Sequence, residues 1–310
     1  MDTTRLRVFR EVARQGSFTG AAGALHISQP AVSQHVARLE QEVGCPLLER
    51  SSRRVRPTAA GEVFLRHVET LITRIDDARR ELAALSRSDC GLLRLAVFPG
   101  AAASFVPVVV GAFRAAYPGV RVSLHEAEPP ASLDRLLAGD ADLAVTYDYP
   151  LVAGPCDARV EHRVIAAQPM AVAVRRESGL TAHASVALAA LAGRDWIAPG
   201  PSVSRDALDE ACRRAGFTPA VVAETGQEQA MLGLVEAGVG IAVVPRPAGL
   251  SAVPRSVALL PLTGTRLERV VSVACRAGAA TTPALDLMRS MLVRAPLARP
   301  LTIEPCVLAA

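Results

Sequence analysis

Residues 28–43, SQPAVSQHVARLEQEV, decide the fold of the N-terminal part of this 310-residue chain. Apolar residues recur there at spacings of four, three and four, at Val32, Val36, Leu39 and Val43. This period predicts a helix from about Gln29 to Val43 with one buried stripe. Ser28 is placed to cap that helix, and Pro30 falls in its first turn, where the missing N–H costs nothing.

The face opposite the stripe is small and polar. It carries Pro30, Gln34, Ala37 and Gln41, with Gln29 and Ser33 beside it at the N-terminal end. A glutamine side chain bridges an adenine edge, and a serine side chain contacts bases or phosphates. Recognition helices enter the major groove with their N-terminal residues first. The pattern favours a helix that contacts DNA, and the alternative is a solvated polar face.

Two shorter helices precede this segment and a hairpin follows it. The first helix is predicted to end near Gly16 and has apolar residues at helical spacing, Leu6, Phe9, Val12 and Ala13. Ser17 supplies the start signal for a second helix with a face of small residues. Two short strands, Pro46–Arg50 and Val55–Pro57, then flank a turn rich in serine and arginine, which predicts a wing. Its cationic tip, suited to phosphate or a minor groove, contains Arg50, Arg53, Arg54 and Arg56.

The charge distribution sets these first residues apart. Residues 1–60 hold nine arginines and five acidic residues, a net charge of +4, and the whole chain also carries +4. The remainder is therefore neutral on balance, and the asymmetry indicates an N-terminal segment that faces a polyanion.

Composition limits the other possibilities. Half of the residues are hydrophobic, and no stretch approaches the ~18 uncharged apolar residues of a membrane span. Residues 1–5 lack the pattern of a secretory signal, so we expect a cytoplasmic protein without a membrane partner. The six cysteines form no CxxC pair and have no histidine cluster nearby, which predicts ordinary thiols, no metal site and no cofactor. A redox role for Cys212 stays open, although it has no close sequence partner.

The run from Phe9 to Gly61 resembles the DNA-binding domain of the LysR-type transcriptional regulators. The most diagnostic parts are Ser28–Ser33, SQPAVS, and Leu47–Arg50, LLER. The resemblance implies a winged helix-turn-helix that binds double-stranded DNA through Ser28, Gln29, Pro30, Ser33, Gln34, Arg38, Arg50, Arg53, Arg54 and Thr58. One departure is local: Gln34-His35 stands where many members place an arginine, so a base preference cannot be transferred.

A long helix is predicted from its cap at Thr58 to about Arg87. Its apolar residues follow a heptad repeat, at Phe64, Val68, Leu71, Ile75, Ala78, Leu82 and Leu85. Such a seam needs a partner helix, or it packs against the chain's own domain. The family resemblance implies the first alternative, an antiparallel homodimer through this helix, with a homotetramer and RNA polymerase as further partners.

After residue 90 the pattern changes to alternating strands and helices. Strands over Leu92–Phe98, Val120–Glu126 and Leu143–Tyr147, with helices over Ala101–Tyr117 and Ser132–Gly139, predict a parallel βαβαβ sheet. A second set is predicted with the strands and helices Met170–Val174, Ser204–Gly216, Ala220–Glu224, Gln227–Ala237 and Gly240–Pro245. A strand over Arg269–Cys275 returns to the first half, and a helix over Pro283–Val293 ends the domain. Two α/β lobes then enclose a cleft.

This region resembles the effector-binding domain of the same family, itself similar to periplasmic solute-binding proteins, most clearly in Glu224–Pro245, ETGQEQAMLGLVEAGVGIAVVP. The resemblance implies a small-molecule effector site lined from four places. These are the loop Pro99–Ser104 with Gly100, Ala101 and Ala102, the residues near Glu128, the turn of Thr146, Tyr147 and Asp148, and Pro201, Ser202, Val203 and Ser204 with Thr225 and Gly226. Many members place a hydroxyl just after the first strand to hold a carboxylate, whereas this chain has Pro99–Ala103, PGAAA. Glu128 and Asp148, if they face the cleft, favour a ligand with a cationic or donor group; each is otherwise an exposed loop acid.

The predicted architecture is α/β overall, with four parts. A winged helix-turn-helix occupies 1–57, a dimerisation helix 58–88, an effector-binding domain 91–300 and a C-terminal tail 301–310. Within the third part, lobe I comprises about 91–162 and 267–300, and lobe II about 163–266.

Two other functions are alternatives to a regulator, an enzyme and a solute-binding protein. An enzyme is disfavoured, because Gly200–Ser204 lacks the second glycine of a nucleophile elbow and Gly238–Gly240 precedes a strand rather than following one. A transport-type solute-binding protein fits the C-terminal half alone.

Overall fold

The computed structural model describes residues 2–50, 54–85, 91–152, 157–246, 253–279 and 281–295. Arg50, Thr73, Asp76, Asp77 and residues 79–85, which include Leu82 and Leu85, are described by their backbone only. Contacts within the chain divide it into two compact units, Met1–Arg87 and Ser88–Ala310. Each unit has its own hydrophobic core.

The first unit is a helix-turn-helix followed by a hairpin and a long helix. Its elements are α1 (Thr3–Gln15), α2 (Phe18–Leu25), α3 (Gln29–Val43), β1 (Leu48–Arg50), β2 (Val55–Pro57) and α4 (Ala59–Leu85). Gly16 ends α1 with φ 61°, the left-handed region that glycine adopts without strain. Ser17 and Ser28 accept hydrogen bonds from the first turns of α2 and α3. The predicted helices, their caps and the wing are confirmed.

The core of this unit joins all four helices. Val32, Val36 and Leu39 of α3 are fully buried, as the periodicity predicts. They belong to one cluster with Phe9 of α1 and with Val68, from the first half of α4. Burial of each large apolar side chain contributes about 1.5–3 kcal/mol, which fixes the first half of α4 to the helix-turn-helix.

The second unit contains one ten-stranded sheet with helices. Its strands are β3 (Gly91–Val97), β4 (Val120–Glu126), β5 (Leu143–Asp148), β6 (Val160–Arg175), β7 (Val186–Ala187), β8 (Asp195–Ala198), β9 (Ala220–Glu224), β10 (Ile241–Pro245), β11 (Val257–Thr263) and β12 (Glu268–Arg276). Its α-helices are α5 (Pro99–Ala102), α6 (Val106–Ala116), α7 (Ala131–Leu137), α8 (Val203–Arg214), α9 (Glu228–Glu236) and α10 (Pro283–Val293).

Two long strands join two parallel halves. In the first half, β3 pairs in parallel with β4 and β5; in the second half, β8 pairs in parallel with β9 and β10. Between them, β12 pairs antiparallel with both β5 and β6, and β6 pairs antiparallel with β10. The predicted βαβαβ order and the return of the late strand to the first half are confirmed. The carboxyl ends of β3, β5 and β8 open toward the same region, which positions the cavity described below.

Two predictions for this unit need correction, since one helix is divided and one strand is longer than predicted. The helix predicted over Ala101–Tyr117 is broken into α5 and α6, because Pro107 in the interior of a continuous helix would clash with the preceding turn. Instead Pro107 lies in the first turn of α6, and Ser104 donates to the Gly100 carbonyl over 2.6 Å in the break. The strand predicted over Met170–Val174 is also only part of β6, which spans 16 residues.

Candidate functional site

The N-terminal end of α3 forms an exposed polar surface. Gln29, Pro30, Gln34 and Arg38 are exposed, and Ser33 is half-buried beside them. The Ser28 hydroxyl accepts a hydrogen bond from the Ala31 N–H at 3.4 Å, so it holds the first turn in place. The structure therefore brings together on one surface the residues predicted to contact bases.

Hydrogen bonds from the backbone N–H groups of the wing and its entry hold the wing against the helices. The Val55 N–H donates to the Gly16 carbonyl at 2.9 Å, which holds β2 against the end of α1. The Glu40 carboxylate accepts from the N–H groups of Leu47 and Leu48, at 2.8 and 3.1 Å, and fixes the entry to β1. Arg54 is exposed on the wing. Arg53 lies outside the described residues, as does the side chain of Arg50.

Thr58 has a structural role. Its hydroxyl donates to the Pro46 carbonyl and accepts from the Gly61 N–H, both at 2.9 Å. It therefore caps α4, as predicted, and its proton is used inside the protein, so the predicted DNA contact cannot use it as a donor. Gly61 packs so closely that a Cβ built on it would lie 1.9 Å from the Leu47 carbonyl oxygen.

The predicted seam of α4 is divided between two environments. Val68 is fully buried in the core of the first unit and Phe64 packs against that core, so the prediction that these residues face a partner helix is wrong in this chain. The reason is that α1 covers the first half of α4. Leu71, 44% exposed, and Ala78 face outward, and Ile75 is half-buried. The side chains of Leu82 and Leu85 lie outside the described residues.

The second unit encloses a cavity of about 280 Å³ at the junction of the two halves of the sheet. The lining of this cavity includes residues from the turn after β3, the end of β5, the first turns of α8 and α9, and the two joining strands β6 and β12. The apolar part of the lining includes Phe98, Pro99, Met170, Pro199, Leu208, Met231, Val243, Pro245 and Leu267. The polar part includes Glu126, Glu128, Tyr147, Tyr149, Ser204, Gln227, Glu228, Gln229 and Arg269. An apolar wall with a few convergent polar groups is typical of a small-molecule site.

A hydroxyl network crosses this cavity. The Tyr147 hydroxyl donates to Glu128 Oε2 at 2.7 Å and lies 3.1 Å from the Ser204 hydroxyl. The Tyr149 hydroxyl lies 3.4 Å from the same Ser204 oxygen. Burial raises the pKa of both tyrosines above its ordinary value, and the Glu128 charge raises that of Tyr147 further. Both hydroxyls are therefore neutral donors at physiological pH.

The Arg269 guanidinium has hydrogen-bond partners and aromatic neighbours within the protein. Its guanidinium donates to Gln168 Oε1 at 2.9 and 3.0 Å and to Glu228 Oε1 at 3.0 Å. The same group lies 5.1 Å from the centre of the Phe98 ring and 5.3 Å from that of Tyr147, within the range of cation–π attraction. The charge is thus compensated within the protein.

Only some of the predicted effector residues line the cavity. Gly100 and Glu128 line the cavity. Ala101 and Thr146 are buried in the core, Ala102 packs against it, and Asp148 is exposed. Of the other predicted residues, Tyr147, Ser204 and Gly226 also line the cavity, whereas Pro201, Ser202, Val203 and Thr225 are not among its lining residues. Ser202 instead caps α8, where its hydroxyl accepts from the Arg205 N–H and donates to the Gly200 carbonyl.

Tyr149, Glu228 and Arg269 line the cavity but were not predicted, although part of the signal for Tyr149 was in the sequence. Side chains alternate along a strand, so Tyr147 and Tyr149 point to the opposite face from Thr146 and Asp148. The apolar context of both tyrosines marks the inward face. No local pattern points to Arg269 or Glu228, because 41 positions separate these ion-pair partners.

The described ranges show no sign of a metal site or a membrane span. They hold no group of His, Cys, Asp and Glu side chains placed to bind a metal ion. No helix in the same ranges combines the length and apolar character needed to cross a membrane. Cys212 is fully buried, and burial raises the pKa of its thiol to about 12, with a further contribution from Asp209.

A winged helix-turn-helix unit and a second α/β unit with a small-molecule cavity define a class: DNA-binding regulators that carry an effector domain. Two families match the chain accordingly. Residues 3–62 match the family described as "Bacterial regulatory helix-turn-helix protein, lysR family", and residues 86–296 match "LysR substrate binding domain". The chain therefore belongs to the LysR family of transcriptional regulators.

Relatives of known role agree with this assignment. The HTH-type transcriptional regulator AlsR of Bacillus subtilis (strain 168) is 31% identical over 253 residues, which cover 80% of this chain and 82% of the relative. The nitrogen assimilation regulatory protein nac of Klebsiella aerogenes is 32% identical over 259 residues, covering 81% and 80%. These families and relatives are regulators and not enzymes, so both alternative functions are rejected.

Solved structures share the fold. A full-length OxyR variant from Pseudomonas aeruginosa superposes with a TM-score of 0.74 at 24% identity, covering 98% of this chain and 99% of its own. Full-length CbnR in complex with its target DNA gives a TM-score of 0.53 at 27% identity, covering 95% and 99%. The chain is thus a DNA-binding transcriptional regulator with an effector-binding domain.

Proposed function

We propose that this regulator recognises its operator through the N-terminal end of α3 and answers to a small molecule bound in the cavity of the second unit. The exposed polar surface of Gln29, Pro30, Gln34 and Arg38 carries the first part of the proposal. The two glutamine side chains present both donors and acceptors and Arg38 presents donors, which contacts with base edges require. Arg50, Arg53 and Arg54 then hold the flanking phosphates, which adds affinity without sequence preference.

The effector site of this proposal is the cavity with Glu128, Tyr147, Ser204 and Arg269 in its lining. The supporting observation is that both halves of the sheet contribute to one polar network, since Ser204 follows β8 and contacts both tyrosines at the end of β5. A ligand that replaces or extends this network changes how the halves pack. Such differential contact is what a ligand-controlled equilibrium requires.

Assembly belongs to the same proposal. We propose that the exposed part of the α4 seam, with Leu71 and Ala78, pairs with the same helix of a second copy. Two recognition helices then engage two half-sites, each adding binding free energy. We also propose the domain limits 1–57, 58–88 and 91–300 and action in the cytoplasm. Assembly then proceeds to a tetramer and to contact with RNA polymerase.

Selection of genomic fragments with the purified full chain tests this function. We expect fragments with a common two-half-site motif to be enriched, and a footprint to cover both half-sites. Metabolites suggested by the neighbouring genes are then added to the bound complex. Enrichment without any shared motif would contradict sequence-specific regulation, and a footprint unchanged by a confirmed cavity ligand would contradict effector control.

A further inference from the structure

The cavity of the second unit carries an excess of negative charge. Three carboxylates and one guanidinium line it: Glu126, Glu128, Glu228 and Arg269. Arg269 is 9% exposed and already bound to Glu228 and Gln168. The one cation among these lining residues is therefore already paired with Glu228, so it offers a ligand anion little uncompensated charge. The remaining charge on the lining is that of Glu126 and Glu128.

Glu128 has spare acceptor capacity. Its carboxylate has about four lone-pair sites, of which the Tyr147 hydroxyl occupies one on Oε2. Within the described part of the chain, no Arg or His side chain forms a salt bridge with it. Because Tyr147 fixes the orientation of the carboxylate, its other oxygen is available to a ligand donor without a further ordering cost.

The helix termini give the opposite preference but are weaker. The first turns of α8 and α9 also line the cavity, and a helix N-terminus acts as roughly half a positive charge. Two such termini are outweighed by the excess of two carboxylate charges. Their N–H groups suit a neutral or weakly charged acceptor at the far end of a ligand.

From this we infer the chemical class of the effector: a small molecule with an ammonium or similar cationic donor group that binds Glu128, and an apolar body that packs between Met170, Met231 and Leu267. The inference rests on the proposed function, which makes this cavity the effector site. The volume of about 280 Å³ suits a compact molecule. Gly100 adds a steric limit, since a Cβ there would lie 3.1 Å from the Phe98 ring and 3.3 Å from Glu228 Oε1.

Matched pairs of amines and carboxylates test the class while keeping the apolar body constant. The probes are butylamine and butyrate, cyclohexylmethylamine and cyclohexanecarboxylate, and benzylamine and benzoate, titrated calorimetrically into the full chain. We expect at least one amine to bind, and each amine that binds to do so more tightly than its carboxylate. Glu128→Gln should lower amine affinity by about tenfold to a hundredfold, the loss of one charge-assisted hydrogen bond. The control Asp148→Asn removes the same charge from an exposed neighbour outside the cavity lining and should leave the affinity unchanged.

Three results would overturn the inference: a carboxylate that binds more tightly than its amine, amine binding that is indifferent to Glu128→Gln, or no binding by any of the amines. Operator binding by the same preparations separates this failure from failure of the proposed function. A chain that binds its operator and responds to a carboxylate keeps the function and loses the cationic effector. A chain that binds no operator fails the proposed function, whatever the amines do.

Discussion

Arg269 of β12 donates to the Glu228 carboxylate in the first turn of α9 over 3.0 Å, and this ion pair joins one of the two long strands to the second half of the sheet. The arginine is 9% exposed and the glutamate 28%. Breaking such a pair leaves a charge with little access to water, which costs more than the pair itself contributes.

Glu228→Ala should therefore destabilise the second unit by about 3 kcal/mol. Denaturant unfolding followed by tryptophan fluorescence measures this directly, because the single tryptophan, Trp196, is buried in that unit. Glu177→Ala is the matched control. It breaks the Arg175–Glu177 pair, whose side chains are 47% and 82% exposed, and should cost about 0–1 kcal/mol. Equal losses of unfolding free energy in both variants would show that the Arg269–Glu228 pair contributes no more to stability than an exposed pair.

Gly61→Ala should disrupt the first unit. The added Cβ would lie 1.9 Å from the Leu47 carbonyl oxygen, so α4 or the entry to the wing has to move. We expect a loss of about 2 kcal/mol or more and faster hydrogen exchange in α4. Gly23→Ala in α2, where the new methyl meets nothing within 4 Å, should be neutral or stabilise by up to about 1 kcal/mol. Unchanged exchange in Gly61→Ala would show that this close contact is absent in solution.

Leu71→Glu should dissociate the proposed dimer. Leu71 is 44% exposed on α4, and a charge there would lie against the partner helix. Sedimentation at micromolar concentration should show a shift from dimer to monomer. Thr70→Glu adds the same charge at the neighbouring exposed position, away from the seam, and should sediment as wild type. If Leu71→Glu stays dimeric, α4 does not form the interface.

Cys212 should resist alkylation in the native protein. With a thiol pKa of about 12, roughly one molecule in ten thousand carries the thiolate at pH 8. Peptide mapping after iodoacetamide treatment should find Cys212 unmodified in native protein and modified in denaturant, whereas the half-buried Cys45 serves as the internal reference. Labelling of Cys212 at the rate of Cys45 would reopen a redox role.

Most of the first unit was predictable because its signals are local. The stripe of α3, the cap at Ser28 and the left-handed turn at Gly16 each lie within a few residues of the feature they specify. The division of α4 was not predictable in this way. A heptad repeat shows that a face is apolar, but only the packing of α1 decides that Val68 is covered by its own chain while Leu71 is left exposed.

The cavity was harder to predict than α4, because contacts between residues far apart in the sequence form part of it. The family resemblance predicted Gly100, Glu128 and Tyr147, and the strand alternation that places Tyr147 inward is a local signal. The Arg269–Glu228 and Arg269–Gln168 contacts join residues 41 and 101 positions apart. Such pairs follow from the order of strands in the sheet, which periodicity alone does not give.

Fluorescence anisotropy on a selected operator and a scrambled duplex distinguishes base contacts by α3 from phosphate contacts by the wing. Gln29→Ala should lower the preference for the operator by about 1–3 kcal/mol with little effect on the scrambled duplex. Arg54→Ala should weaken both complexes alike and reduce the dependence on salt by about one unit of slope. Equal losses of affinity for both duplexes in Gln29→Ala, with an unchanged preference for the operator, would show that Gln29 of α3 does not recognise bases.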